Sequence, residues 1–291
     1  MESPVNGPPT PPDVPPQILA LRSTEPASTH RLRWWIHLLL IGAYVLVIGA
    51  MGWSESGSHV PALPHKVSSL LVVCAVNLLI FAIVFGLACL VSRASPDDLL
   101  LRWRGRFLPV PLGISYSIAL RVAVGIIMFI AGLALVATRL MTTDSLEHFA
   151  AAHQPDVEAI VDVSAMRQNP VYFWLMLTLV SFVVAGLREE LWRSAFLAGL
   201  RRLWPGTFGS RAGQIAAVAA AAVVFGLGHL AMGPTAAVLA GLLGVGLGLI
   251  MVLHRSIWPA VIAHGMFDAT TLALMPWATE QLHQMQKTLG H

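Results

Sequence analysis

Long apolar runs, separated by short polar breaks, dominate this chain. They fall at about 34–53, 67–92, 112–138, 171–199, 213–233, 235–253 and 257–276. Each reaches the roughly 20 apolar residues a helix needs to cross a hydrocarbon core of about 30 Å. Backbone groups in lipid must be paired within their own segment, so such runs are helices. The pattern predicts an all-α protein, a polytopic transmembrane helix bundle of seven to eight helices. The eighth would be a re-entrant or interfacial helix within 140–169. That stretch reads instead as an acidic loop (Asp144, Glu147, Asp156, Glu158, Asp162) with weak helical periodicity. Residues 1–30 are expected to be a disordered, partly polyproline tail, with Pro4, Pro8, Pro9, Pro11, Pro12, Pro15 and Pro16 near its start. It lacks the apolar core of a signal peptide. The expected organisation is this tail, transmembrane helices over 31–140, an extracytoplasmic acidic loop over 141–169, a helical core over 170–276 and a tail over 277–291.

Composition agrees with the pattern. The chain of 291 residues is 56% hydrophobic and 11% charged, against about 25% charged in soluble domains. The bilayer is the expected partner, and no nucleic acid is expected. Cys74 and Cys89 lie about 22 Å apart along one predicted helix, too far for a disulfide.

The net charge of +3 says less than its distribution. With the N-terminus placed in the cytoplasm, that side holds Arg22, Arg31, Arg33, Arg93, Arg102, Arg104, Arg106, Arg201, Arg202, Arg211 and Arg255. The other side holds Lys66, Arg139, Arg167 and Lys287. This bias sets the expected orientation. The Ala- and Gly-rich composition points to a bacterial inner (plasma) membrane. Trp34, Trp35, Trp53, Trp204, Trp258 and Trp277 fall near expected interfaces as anchors. Glycines 226, 228, 241, 244, 246 and 248 let the fifth and sixth runs pack closely.

Against this background, Arg188, Glu189, Glu190 and Arg193 interrupt the fourth run. A charge at bilayer depth costs between about 3 and 17 kcal/mol, so these residues must face protein or a wet cavity. The fifth run carries His229, four residues after Phe225, and the seventh carries His264 and Asp268. The i,i+4 spacing puts His264 and Asp268 on one helix face, able to present two ligands to one ion. His229 could supply a third, and imidazole with carboxylate suits Zn²⁺ with one position left for water. A nearby carboxylate could then take the water's proton.

Plainer roles exist for each. A lone intramembrane histidine can hydrogen-bond a carbonyl, and a His/Asp pair can be structural. Either glutamate can pair with Arg193 to fix helix register. Arg188 can snorkel or line a cavity wall. Arg121 and Asn77 fit helix–helix bonding. Counted at about 1.5 Å per residue, His264 lies roughly 10 Å into its run and His229 about 24 Å into its own, so convergence needs an offset between those helices.

These residues resemble the CPBP family of intramembrane proteases, which process CAAX proteins and bacteriocins and include the type II CAAX prenyl endopeptidases. The family pattern is EExxxR, then FxxxH, then HxxxN or HxxxD, on three helices. Its counterparts here are Glu189-Glu190 with Arg193, Phe225 with His229, and His264 with Asp268. Ser256 to Ala260 also looks like the family, and the resemblance spans about 170–276. One departure stands out: two residues, Leu191 and Trp192, separate Glu190 from Arg193 where the family has three. Aligned on the glutamates, Glu189 is the base and Glu190 pairs with Arg193. Aligned on the arginine, Glu189 pairs with Arg193 and Arg188 falls where the base should be.

The resemblance implies an intramembrane metal-dependent endopeptidase acting on a membrane-associated or lipidated peptide or a membrane-protein substrate. Glu189 would activate water, and Glu190 and Arg193 would orient the site. His229, His264 and Asp268 would hold zinc or stabilise the oxyanion. Two other classes stay open. One is a non-catalytic scaffold or bacteriocin-immunity protein that keeps the fold, favoured by the shortened spacing. The other is a haem protein with His229 and His264 as axial ligands.

Overall fold

The computed structural model describes residues 27–55, 63–153 and 161–289. The expected tail lies outside them except for positions 27–30, which already belong to the first helix. The described elements are all helical: α1 (Ala27–Glu55), α2 (Val67–Ser92), α3 (Pro109–Ala137), α4 (Thr143–Ala152), α5 (Val163–Gln168) and α6 (Pro170–Leu175) come first. A π-helical segment (Met176–Leu187) runs into α7 (Arg188–Leu203) and the short α8 (Pro205–Phe208). Then follow α9 (Arg211–Gly228), a 3-10 turn (Leu230–Met232), α10 (Pro234–His254) and α11 (Trp258–Leu289).

Among the described residues, 6 helices are long and apolar enough to cross a membrane, including the composite rod Pro170–Leu203. The seventh expected span is present as α11, which has 32 residues. It falls short in apolarity because His264, Asp268, Thr270 and Thr271 interrupt its first half. α11 continues to Leu289, through Pro276, where a tail had been expected from 277. Residues 143–152 and 163–168 form short helices rather than a further span. Thr142 caps the first through its side chain, and Asp162 caps the second.

α11 is the axis of the bundle, packed between α3 and the π segment. α9 and α10 form a hairpin, and α1 lies against α2 and α7. The hairpin is tight because Gly226, Gly244 and Gly248 bring the backbones together. A Cβ on Gly226 would stand 2.6 Å from the Ala237 carbonyl, and one on Gly248 would stand 2.6 Å from Val218. Gly246 instead faces Leu120 of α3, and Gly228 has open space beside it. Leucines such as Leu39, Leu79, Leu90, Leu133 and Leu253 are exposed around the outside, as a lipid-facing surface requires. Trp34 departs from the anchor expectation. It is buried in the apolar core with Ile41, Phe81, Ala88 and Trp192, while Trp35 and Trp277 are exposed. The Trp53 side chain lies outside the described residues.

The loop at 93–108 closes the Arg-rich end. Ile257 N–H donates to Leu100 O at 2.9 Å, Ser256 Oγ to Arg102 O at 3.0 Å, and Trp258 Nε1 to Leu101 O at 2.8 Å. Arg202 pairs with Asp98 at 2.5 Å. The first turn of α11 therefore sits on this loop.

Candidate active site

α7 brings both glutamates to the axis, on neighbouring faces. Glu190 and Arg193 are fully buried and ion-paired at i,i+3. This is the pairing expected when the motif is aligned on its glutamates, so the missing residue is absorbed by helix geometry. The same Glu190 Oε1 accepts a hydrogen bond from His264 Nδ1 at 3.0 Å. The Arg193 guanidinium lies over the Phe225 ring at 4.6 Å. Its Nε and Nη2 have no hydrogen-bond partner among the described residues, so charge and the aromatic face hold it.

Glu189 turns toward a cavity. Arg188 Nη2 donates to Glu189 Oε1 at 2.9 Å, and Arg188 Nη1 donates to Asn77 Oδ1 of α2 at 3.1 Å. Arg188 is thus a cavity wall, and Asn77 is the helix–helix bond expected of it, spent on Arg188. Glu189 Oε2 lies 3.8 Å from His264 Nε2, and Asp268 Oδ2 lies 3.6 Å from the same nitrogen. Both distances exceed a direct hydrogen bond, so the two carboxylates converge on this nitrogen without bonding it.

His229 ends α9. Its Nδ1–H donates to Phe225 O at 2.8 Å, which leaves Nε2 as the free ring nitrogen. Phe225 ties the two histidines together: its ring centroid is 4.5 Å from that of His229 and 6.0 Å from that of His264. The cavity, about 100 Å³, is lined by Tyr44, Val45, Arg188, Glu189, Phe225 and His229, among others.

The expected zinc set was His229, His264 and Asp268. Among the described residues no group of three His, Cys, Asp or Glu side chains stands close enough to hold an ion. His264 Nδ1 is bonded to Glu190 and His229 Nδ1 to Phe225 O, so each ring has only its Nε2 left to offer. The residues as placed do not fit a closed metal centre, and no step below runs through one.

Residues 170–270 match the family model described as type II CAAX prenyl endopeptidase Rce1-like. The match agrees with the resemblance read from the motifs: this Rce1-like segment is similar to the CAAX-protease type of membrane endopeptidase. No curated protein and no solved structure matches the chain. The Rce1-like segment contains Glu189, Glu190, Arg193, His229, His264 and Asp268. It excludes α1, α2 and α3, and with them Tyr44, Asn77 and Arg121.

Three features of the site had no signal in the apolar pattern. One is the π segment, 12 residues long. Wider turns of this kind occur at functional sites. Ser181 Oγ follows the wider winding by donating to the carbonyl of Met176, five residues back, at 2.9 Å. Gly186 and Gly265 let the segment reach α11: a Cβ on Gly265 would lie 2.4 Å from the Phe182 ring. The second is His37, fully buried on α1, with its ring nitrogens 3.0 Å from the Ala88 and Ala195 carbonyls. It bonds α1 to α2 and α7 beside the site. The third is Tyr44 in the cavity wall. Arg121 serves as expected, bonding α3 to Phe267 O and Thr270 Oγ1 of α11.

Proposed function

We propose that the protein is an intramembrane endopeptidase in which Glu189 activates water against a peptide carbonyl. The observation that carries this reading is the convergence of Glu189 and Asp268 on His264 Nε2, beside a small cavity that Glu189 lines. Water gives one proton to Glu189 while its oxygen bonds to the carbonyl carbon. The carbonyl π pair moves onto oxygen as an oxyanion. When the tetrahedral intermediate collapses, the C–N bond breaks and Glu189 passes its proton to the departing amine. Arg188 sets a positive charge at the cavity wall, where the oxyanion develops.

Glu190 and Arg193 act through His264. Glu190 accepts the Nδ1–H and so fixes the ring with Nε2 toward the water. Asp268 accepts a hydrogen bond from the water's second proton, and His229 Nε2 accepts from the peptide N–H. The substrate is a membrane-associated or lipidated peptide. The remaining cavity walls, Val45, Ile48, Val224 and Phe225, are apolar, which suits an extended chain arriving from the bilayer side. The prenylated peptide in the matched family's description is the first candidate.

The test uses detergent-purified full-length protein and a peptide library that includes a farnesylated CAAX peptide, read by mass spectrometry. Wild type should cleave, while Glu189→Gln and His229→Ala should not. Unchanged cleavage by Glu189→Gln would remove that residue as the base.

A further inference from the structure

Tyr44 stands on α1, outside the Rce1-like segment, yet it lines the same cavity as Glu189, Arg188 and His229. Its hydroxyl is buried and its proton has no acceptor among the described residues. A buried donor without an acceptor costs about 1–3 kcal/mol, so it calls for a reason. The ring is fixed by α2: Phe81 lies 5.3 Å away, centroid to centroid, at 58°. α1 is in turn tied to α7, because Trp192 Nε1 donates to Ile41 O at 3.1 Å, one turn before Tyr44. The phenol is therefore held in place, with no acceptor for its proton among the described residues.

Its charged neighbours are Arg188, which also addresses its oxygen by a side-chain hydrogen bond, and Glu189. Arginine only donates, so it can address the phenol oxygen but cannot take the phenol proton. Glu189 already accepts from Arg188. The phenolic O–H is left to a guest in the cavity, and that guest must carry an acceptor.

We infer that Tyr44 is a further catalytic residue, whose O–H donates to the scissile carbonyl oxygen and to the oxyanion that follows. This rests on the endopeptidase reading above. It pairs a neutral donor from α1 with the positive charge of Arg188, both lining the cavity that Glu189 lines. No covalent bond to Tyr44 forms or breaks, and the phenol keeps its proton throughout. The active site then needs the N-terminal helices as well as the matched segment.

The experiment compares full-length wild type, Tyr44→Phe and Glu189→Gln on whichever member of the same peptide library wild type cleaves. Tyr44→Phe should lower kcat about 100-fold, the usual loss for one oxyanion donor, with KM within about twofold. Its Tm in detergent should equal or exceed that of wild type, because a buried donor without an acceptor has been removed. A Tyr44→Phe enzyme with wild-type kcat, beside an inactive Glu189→Gln, overturns the role of Tyr44 alone. A lowered Tm with kcat unchanged would make the hydroxyl structural and overturns it too. Absent cleavage by wild type, or full cleavage by Glu189→Gln, overturns the endopeptidase reading and the role of Tyr44 with it.

Discussion

His264 donates its Nδ1–H to Glu190, 74 residues away in sequence, at 3.0 Å. That bond divides the labour of two adjacent carboxylates. Glu190 is buried and holds a ring, while Glu189 is partly open to the cavity. Conservative amides should separate them. Glu189→Gln is expected to lose at least about 100-fold in kcat, as removal of a general base does, with Tm close to wild type. Glu190→Gln is expected to lose activity and Tm together, because Arg193 keeps its buried charge without a counter-ion. Equal Tm losses in both variants would contradict this division. Cleavage rates and thermal melts in the same detergent decide it.

Arg193 gives a sharper energetic test. Removing one partner of a buried ion pair costs about 3–5 kcal/mol, whereas replacing both with apolar groups can be neutral. Arg193→Met alone should therefore destabilise strongly. Pairing it with Glu190→Met should recover most of that loss without recovering activity, since His264 still lacks its acceptor. The coupling is read from a double-mutant cycle of unfolding free energies.

The ligand arrangement also bears on metal. Because the described residues bring no three His, Cys, Asp or Glu side chains together to hold an ion, stoichiometric zinc is not expected. Elemental analysis of dialysed protein should find well below one metal per chain, and EDTA should leave cleavage unchanged. Tightly held zinc at one equivalent, lost in His264→Ala, would show that the histidines come together in a state other than this one.

Much of this site was legible because charge is so conspicuous in hydrocarbon. Glu189, Glu190, Arg193, His229, His264 and Asp268 stand out against apolar neighbours, and helical spacing alone puts His264 and Asp268 on one face. The pairing of Glu190 rather than Glu189 with Arg193 was one of two allowed registers, and only the three-dimensional packing chooses. Tyr44 and His37 carried no such contrast. A histidine near the end of an apolar run, as His37 is, or a lone tyrosine within one is ordinary, and what distinguishes these two is the buried environment that distant helices build around them. The π segment was illegible for another reason. Its residues are as apolar as an α-helical span, and winding is set by the close approach at Gly186 and Gly265, not by hydrophobic period. The polar first half of α11 reads as a weak span for the same reason that it is the functional one.

The loop that seats α11 should respond to acid. Burial pushes the Asp98 carboxyl up, but hydrogen bonds from Ser95 N–H, Ser95 Oγ and Arg202 outweigh it and hold the group below its ordinary value. A depressed carboxylate contributes stability that is present above the unfolded-state value of about 4 and is lost as pH falls through the lower folded value. Wild type should therefore lose Tm on acidification below about pH 4. Asp98→Asn should begin with a lower Tm at neutral pH and show a shallower loss in that range. Parallel Tm–pH curves for the two proteins would exclude Asp98 as the titrating group.

Gly265 follows His264 and touches the π segment directly. A Cβ there would stand 2.4 Å from Phe182 Cδ1 and 2.7 Å from Cγ. The clash is with an aromatic ring packed between helices, so either the ring leaves its place or α11 shifts away. Overpacking of this kind costs about 1–3 kcal/mol. A shift of α11 would also carry His264 off Glu190. Gly265→Ala is thus expected to lose activity out of proportion to its Tm. Adding Phe182→Leu should restore both by making room for the methyl group. Gly228→Ala is the matched control, because nothing lies within 4 Å of its added Cβ and it should behave as wild type in stability. If Gly265→Ala retained full cleavage, the contact between the π segment and α11 would not be what sets the position of His264.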